Sequence, residues 1–470
     1  MKQFKWLLLL VVFALFAAAC GNDEADDTTT AAPSETTAAT TEAPDSGTDT
    51  TEAPAETTTT EAMVDLAGTR VTVFGPEETE SEAGAQQAAL DAFGAETGIE
   101  IIYTGARDAA DQINAQVAGG NPPDIFVFPQ PGKLADFARQ GVLLPLPADV
   151  EATMNANHIP AWTSFGNVDG TQFGIPTKAD LKSLVWYQPA PFEAAGYTVP
   201  ETWDDLKALT NQMIADGNTP WCVGIESGPA TGWTFTDWVE DLMLRFHGGD
   251  VYDQWVANEI PFSDERVIQV FNEVVDLWNT DGAVFAAGGS ISSTGFGDNG
   301  EPLVQGRCFL HRQASFFSAF FPEGTPAADG SEGAIDVFYF PSVKGDRPVL
   351  GAGTLVGAFA DRPEVWAVMD YMATGAYADA RQSSQAELKG GGGALSGYLS
   401  PAITANPDNY QPLEQSFLEI LSTAEVVRFD GSDLMPTAVG AGSFWTEGTS
   451  FVNGQLTAEE AAAAIDATWP

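Results

Sequence analysis

The residues of this chain best suited to chemistry are its tryptophans. There are 12 of them, several beside acidic or amide side chains. The run Trp233-Thr234-Phe235-Thr236-Asp237-Trp238 leads into Glu240 and Asp241, and a second run reads Phe444-Trp445-Thr446-Glu447. A sugar presents flat C–H faces and a rim of hydroxyls. Aromatic faces suit the first, and planar groups such as Asp, Glu, Asn, Gln and Arg suit the second. Trp278 and Trp366 read as core. Trp233 follows Gly228-Pro229-Ala230-Thr231-Gly232, and Trp445 follows Gly440-Ala441-Gly442-Ser443. Both read as loop residues, open to a core or a binding role.

A catalytic set does not emerge. His158, His247 and His311 are scattered, with neither helical i, i+4 pairing nor Cys/His ligand spacing. No GxSxG elbow occurs. Carboxylates are abundant, so a two-carboxylate glycosidase site fits the composition, but nothing singles out a pair. The Gly-rich stretch 389–393 lies on no strand–loop–helix pattern and reads as a connection, not a phosphate loop. The expectation is a non-enzyme without cofactor or metal.

Positioning such residues requires a scaffold. Arg70 to Phe74 alternates as a strand, Ala83 to Glu96 as a helix, and Ile99 to Tyr103 as a strand. Ala106 to Val117 reads as helix and Asp124 to Phe128 as a third strand. This order predicts a parallel sheet with right-handed crossovers, and hence an α/β fold. Ligands bind beyond the carboxyl ends of such strands. Those ends are Gly75-Pro76-Glu77, Thr104-Gly105 and Pro129-Gln130. Further on, Thr202 is the expected cap of a helix to Asp216, with Asp205 at the capping-box position. Ser263 is the expected cap of another helix, to Asn279, whose stripe is Val267, Val270, Phe271, Val274 and Trp278.

The chain has 470 residues and a formal net charge of -47, from 66 acidic and 19 basic residues. Such a charge repels nucleic acid and anionic ligands. The N-terminus starts basic, runs apolar from Trp6 to Phe16, and leaves through Ala17-Ala18-Ala19-Cys20. That is a secretory signal, too short for a permanent span of about 20 residues. A Cys after small residues resembles a bacterial lipobox, which makes Cys20 the expected lipidation site. From Gly21 to about Glu61 the chain is Thr, Ala, Pro and acidic residues, with no large apolar side chain. It reads as a disordered stalk spanning on the order of 35 Å. Of three cysteines, one is thus a lipid site, and Cys222 and Cys308 make the natural disulfide of an exported chain.

Several segments resemble family 1 extracellular solute-binding proteins of sugar ABC transporters. Ser183-Leu184-Val185-Trp186-Tyr187 resembles the family's crossover strand. The runs from Thr219 to Gly228, Thr236 to Asp241, Cys308 to Ser315, Asp433 to Pro436 and Gly440 to Trp445 resemble its alpha-glucoside-binding branch. The resemblance implies a two-lobe, type II periplasmic-binding-protein-like fold with crossover strands and a central ligand cleft. It also implies the Cys222–Cys308 disulfide. Domain boundaries follow: a signal peptide over 1–19, lipidated Cys and stalk over 20–63, and a binding domain over 64–470. One lobe would take about 64–180 plus 341–390, the other about 181–340 plus 391–470. The strand from Asp336 to Phe340 and a Gly353-Thr354 loop would serve the return crossing, and 390–401 another.

The strand-end rule and these motifs together select the ligand set. Glu77, Glu80 and Gln130 come from the first lobe, and Asp180, Trp233, Asp237, Arg312 and Trp445 from the crossover and second lobe. For Asp237 and Arg312 an internal ion pair is the rival reading, and for Glu80 a solvated helix start. The function implied is a lipid-anchored monomer on the outer face of the membrane, capturing a neutral sugar for ABC permease subunits. A surface glycoside hydrolase and a same-fold receptor for a peptide, polyamine or metal are the alternatives.

Overall fold

The computed structural model describes residues 65–328, 331, 333–391 and 394–470. The signal peptide, Cys20 and the stalk lie outside the described residues, as do Gly392 and Gly393 of the Gly-rich connection.

β-branched and aromatic runs build a first sheet. Its order is Val427–Phe429, Val349–Ala358, Ile125–Phe128, Arg70–Gly75 and Glu100–Gly105. The last three strands are mutually parallel, as the strand–helix alternation predicts. Val349–Ala358 runs antiparallel to Ile125–Phe128. Both faces are buried. Val71, Val73, Ile125 and Val127 pack with Val365, Val368 and Met369, while Phe74, Phe126 and Phe128 pack with Ile113, Leu134 and Phe137.

The second sheet has the order Asp336–Tyr339, Leu184–Tyr187, Leu310–Arg312, Trp221–Cys222 and Val284–Phe285. Helices Trp203–Ala215 and Glu265–Asn279 cover it with Leu206, Leu209, Met213, Val267, Val270 and Trp278. Thr202 caps the first, accepting from the Asp205 amide at 3.1 Å. Asp264, not Ser263, caps the second, accepting from the Arg266 amide at 3.0 Å. Cys222 and Cys308 are disulfide-bonded across a separation of 86 residues, joining neighbouring segments of this sheet. Closing so long a loop stabilises by roughly 2–4 kcal/mol.

Two long strands connect the sheets. Ile175–Leu181 pairs antiparallel with Val349–Ala358, then passes through Lys182-Ser183 into Leu184–Tyr187 of the second sheet. A bulge between Thr354 and Leu355 leaves Thr177 as the extra residue of this pairing. Gly353 and Thr354 therefore lie within a strand rather than in a loop. A Cβ at Gly353 would stand 2.1 Å from the Lys178 carbonyl, so the crossing strands meet there only because the residue is glycine. Asp336–Tyr339 is an edge strand of the second sheet, and the return crossing is made by Val349–Ala358. A third crossing passes Tyr398, whose hydroxyl donates to the Thr177 carbonyl at 2.7 Å.

One portion of 391–470, expected with the second lobe, joins the first sheet instead. The long return strand extends beyond Ile125–Phe128 and leaves the edge of Val349–Gly351 open; Val427–Phe429 fills it. No helix among the described residues is long and apolar enough to cross a membrane.

Candidate ligand cleft between the lobes

The floor of the cleft follows from the alternation Lys178-Ala179-Asp180-Leu181-Lys182. Successive strand side chains point to opposite faces. Ala179 and Leu181 enter the apolar core with Leu184 and Trp186. Lys178, Asp180 and Lys182 take the other face and are buried there. A buried charge needs a partner, and each finds one.

Lys178 Nζ lies 3.5 Å from Glu77 Oε1 and 3.7 Å from Asp180 Oδ1. Glu77 follows the strand Arg70–Gly75, where the strand-end rule placed it. Its backbone is clamped by Tyr103, whose hydroxyl donates to the Glu77 carbonyl at 3.0 Å. Gly105 lets that carbonyl approach: a Cβ there would sit 1.8 Å from it. Arg381, from the helix Gly375–Leu388, stands 2.9 Å from Glu77 Oε1. Burial pushes the Glu77 carboxyl up, but the Arg381 and Lys178 charges outweigh it and hold it below its ordinary value. Burial raises that of Asp180. Both Glu77 oxygens and Asp180 Oδ1 are buried without a well-aligned donor.

Lys182 Nζ donates to Asp237 Oδ1 at 2.7 Å and to Asp430 Oδ2 at closer range. Asp237 and Glu240 lie on the helix Trp233–His247, and Asp430 caps the short helix Gly431–Leu434. Oxygens of Asp237, Glu240 and Asp430 lie within 4.8 Å of one another, a spacing a metal ion could use. Here the Lys182 ammonium is their counter-cation. Burial and the neighbouring carboxylates push the carboxyls of Glu240 and Asp433 well above their ordinary values. Burial also raises Asp237, to about 7, against the pull of Lys182. Arg312 completes the group, 3.4 Å from Asp237 and 2.9 Å from Asp241.

Aromatic rings form the wall. Half-buried Trp233 meets Phe296 at 5.0 Å and Phe316 at 6.1 Å between ring centroids. Lys182 Nζ is 5.5 Å from the Trp233 ring and Lys178 Nζ is 5.1 Å from that of Phe316. Floor and wall are therefore in direct contact.

The structure brings together most of the expected ligand set. Glu77, Asp180, Trp233, Asp237 and Arg312 belong to this assembly. Asp237 and Arg312 form the ion pair of the rival reading, yet Asp237 Oδ2 has no aligned donor. Gln130, before the helix Pro131–Arg139, sets its amide beside the Asp433 carboxyl and leaves Oε1 unpartnered. Trp233 begins a helix rather than lying in a loop, and so does Trp445, which starts Trp445–Val452. The two helix starts adjoin: a Cβ at Gly232 would stand 2.3 Å from the Trp445 carbonyl. Trp445 is buried, with its indole N–H unpartnered. Glu80 stays apart from the buried set; it is exposed on the first turn of Glu80–Thr97. Lys178, Lys182, Arg381, Asp430 and Phe316 escape the sequence reading. For the two lysines a signal exists: charge and apolar residues alternate through 178–182 in a chain with few cations.

This architecture has known counterparts. Among solved structures, the bacterial solute receptor AcbH superposes with a TM-score of 0.71 at 17% identity, covering 85% of this chain and 97% of that one. Maltose-bound MalE3 of T. maritima superposes at 0.66 with 17% identity, covering 85% and 98%. Among curated proteins, "Osmoprotective compounds-binding protein GgtB" of Synechocystis is 39% identical over 390 residues, 82% of this chain and 89% of that protein. "Alpha-glucosides-binding periplasmic protein AglE" of Rhizobium meliloti is 39% identical over 388 residues, 79% and 81%. The family profile "Bacterial extracellular solute-binding protein" matches residues 75–378. The fold is thus a shared one, and the chain belongs to the bacterial extracellular solute-binding proteins.

Proposed function

We propose that this chain is the lipid-anchored, substrate-capturing subunit of an ABC importer, and that its ligand is a neutral sugar of the alpha-glucoside class. One observation carries the ligand assignment. Each cation lining the floor, Lys178, Lys182, Arg312 and Arg381, already faces a carboxylate, while uncharged aromatic surface and unpartnered buried polar atoms lie beside them. No positive charge is left over for an anion, and the Lys182 ammonium already serves the Asp237, Glu240 and Asp430 cluster as counter-cation, which disfavours a free cation. Hydroxyls can both donate to open carboxylate oxygens and accept from open N–H groups. The naming of AglE for alpha-glucosides supports the class.

Glu77, Gln130, Asp180, Asp237, Trp233 and Trp445 would hold the sugar, with Arg312 fixing Asp237. Ligand contacts to both lobes favour the closed form, which docks on the permease. The sugar is bound without turnover. Cys20 and the stalk hold the domain on the outer face of the membrane.

The test is a thermal-shift and tryptophan-fluorescence screen over α- and β-linked glucosides. A ligand at 100 times its Kd adds about 2.7 kcal/mol of stability. If no mono- or oligosaccharide moves either signal, the sugar assignment fails. Cys20→Ala is expected to release the protein from cells into the medium or periplasm, and continued retention by the membrane would remove the anchor.

A further inference from the structure

Strand order along a sheet is also position along the cleft. In the first sheet Glu100–Gly105 is the edge strand beside Arg70–Gly75. The loop after it carries Arg107, so Arg107 stands at one end of the row of site loops. In the second sheet Val284–Phe285 is the corresponding edge, and the chain after it leads to Phe296. The two edges meet. The Arg107 guanidinium carbon lies 5.5 Å from the Phe296 ring centroid and 5.4 Å from that of Phe320. Arg107 is held from behind by Glu82, a buried partner on the first helix, and by Glu78, whose carboxylate accepts from the Arg107 amide at 3.0 Å. Nearby, Lys389 donates to the carbonyls of Ala319 at 2.8 Å and Phe321 at 2.7 Å, closing the same side.

The opposite end is closed too. The helix Pro131–Arg139 packs on the Gly431–Leu434 turn, where a Cβ at Gly132 would stand 2.1 Å from the Met435 carbonyl. Asp136 accepts from the Thr437 hydroxyl at 2.6 Å. Between the two closures lie the loops after two adjacent strands, Arg70–Gly75 and Ile125–Phe128, about 5 Å apart.

We infer that Arg107, clasped to Phe296 and Phe320, ends the cleft and restricts this receptor to mono- and disaccharides. Arg107 is thus a specificity-determining residue that need not touch a short ligand. A longer oligosaccharide would have to push the guanidinium off both rings and out of its ion pair. The inference rests on the sugar reading above.

The experiment is calorimetric titration of the full chain, Arg107→Ala and Phe320→Leu with glucose, α-linked glucose disaccharides, maltotriose and maltotetraose. Circular dichroism confirms folding of each variant. Native protein is expected to prefer a disaccharide over the tetrasaccharide by about tenfold or more, and each variant to narrow that ratio to about threefold or less. Native binding of the tetrasaccharide as tight as that of the disaccharide would overturn the inference. So would an unchanged ratio in both variants. If the native chain binds none of these sugars nor any other in the screen, the sugar reading itself falls, and this inference with it.

Discussion

Two lysines four residues apart on one strand face live differently. Lys182 makes hydrogen bonds to Asp237 and Asp430, which come from a second-lobe helix and from the turn after the first sheet's edge strand. Lys178 faces Glu77 and Asp180 only at 3.5 and 3.7 Å, and the oxygens around it stay open. Tight pairing of a buried ammonium makes a joint between elements. Loose pairing with open oxygens makes a surface that a polyol can complete. Asp237 stands between the two roles, bound to Lys182 through Oδ1 and open at Oδ2.

The largest expected effect breaks the joint. Lys182→Met leaves the buried Asp430 without its cation and Asp237 with Arg312 alone, and should cost about 3–5 kcal/mol in denaturant unfolding. Lys178→Met should cost markedly less, because Arg381 still faces Glu77, and should instead weaken sugar binding about tenfold or more. Equal stability losses would erase the distinction.

The pH dependence should also separate the two groups. Asp237 is raised from 3.8 to about 7, so the folded state holds its proton more tightly and stability falls as pH rises across that window. Asp237→Asn should flatten that fall. Glu77 lies below its ordinary 4.5, so its contribution is present above that pH and is lost as pH drops through the lower folded value. Glu77→Gln should remove this acid-side loss. Unfolding free energies measured from pH 3 to 8 decide it; slopes of one sign for both sites would contradict the assignment.

The smallest effect belongs to Glu80. It is exposed on a helix start, so Glu80→Gln should leave stability within about 0.5 kcal/mol and sugar affinity unchanged. A clear loss of affinity would bring it back into the ligand set.

The sequence made the first sheet legible, since strands and helices alternate there with clear periods. The strand-end rule pointed, with no tertiary information, to Glu77 and Gln130, which the fold sets beside Lys178 and Asp433. The return strand Val349–Ala358 was harder, because burial on both faces removes the alternation that marks a strand. Arg381 and Asp430 were not legible at all. They meet Glu77 and Lys182 across 304 and 248 residues of chain, and only the crossings bring them together. Gly353 shows the limit from another side: its role is a close approach between strands, which no local pattern announces.

The bulge at Thr177 has a consequence for how such a receptor can diverge. It sets the parity of the strand, so that Lys178, Asp180 and Lys182 reach the cleft while Ala179 and Leu181 reach the core. Removing one residue there, with the first lobe kept in place, would exchange the two sets. Two apolar side chains would line the cleft, and three charges would enter a dry core. Substitution along this strand changes one floor contact at a time, whereas a change in its length would undo the whole floor at once.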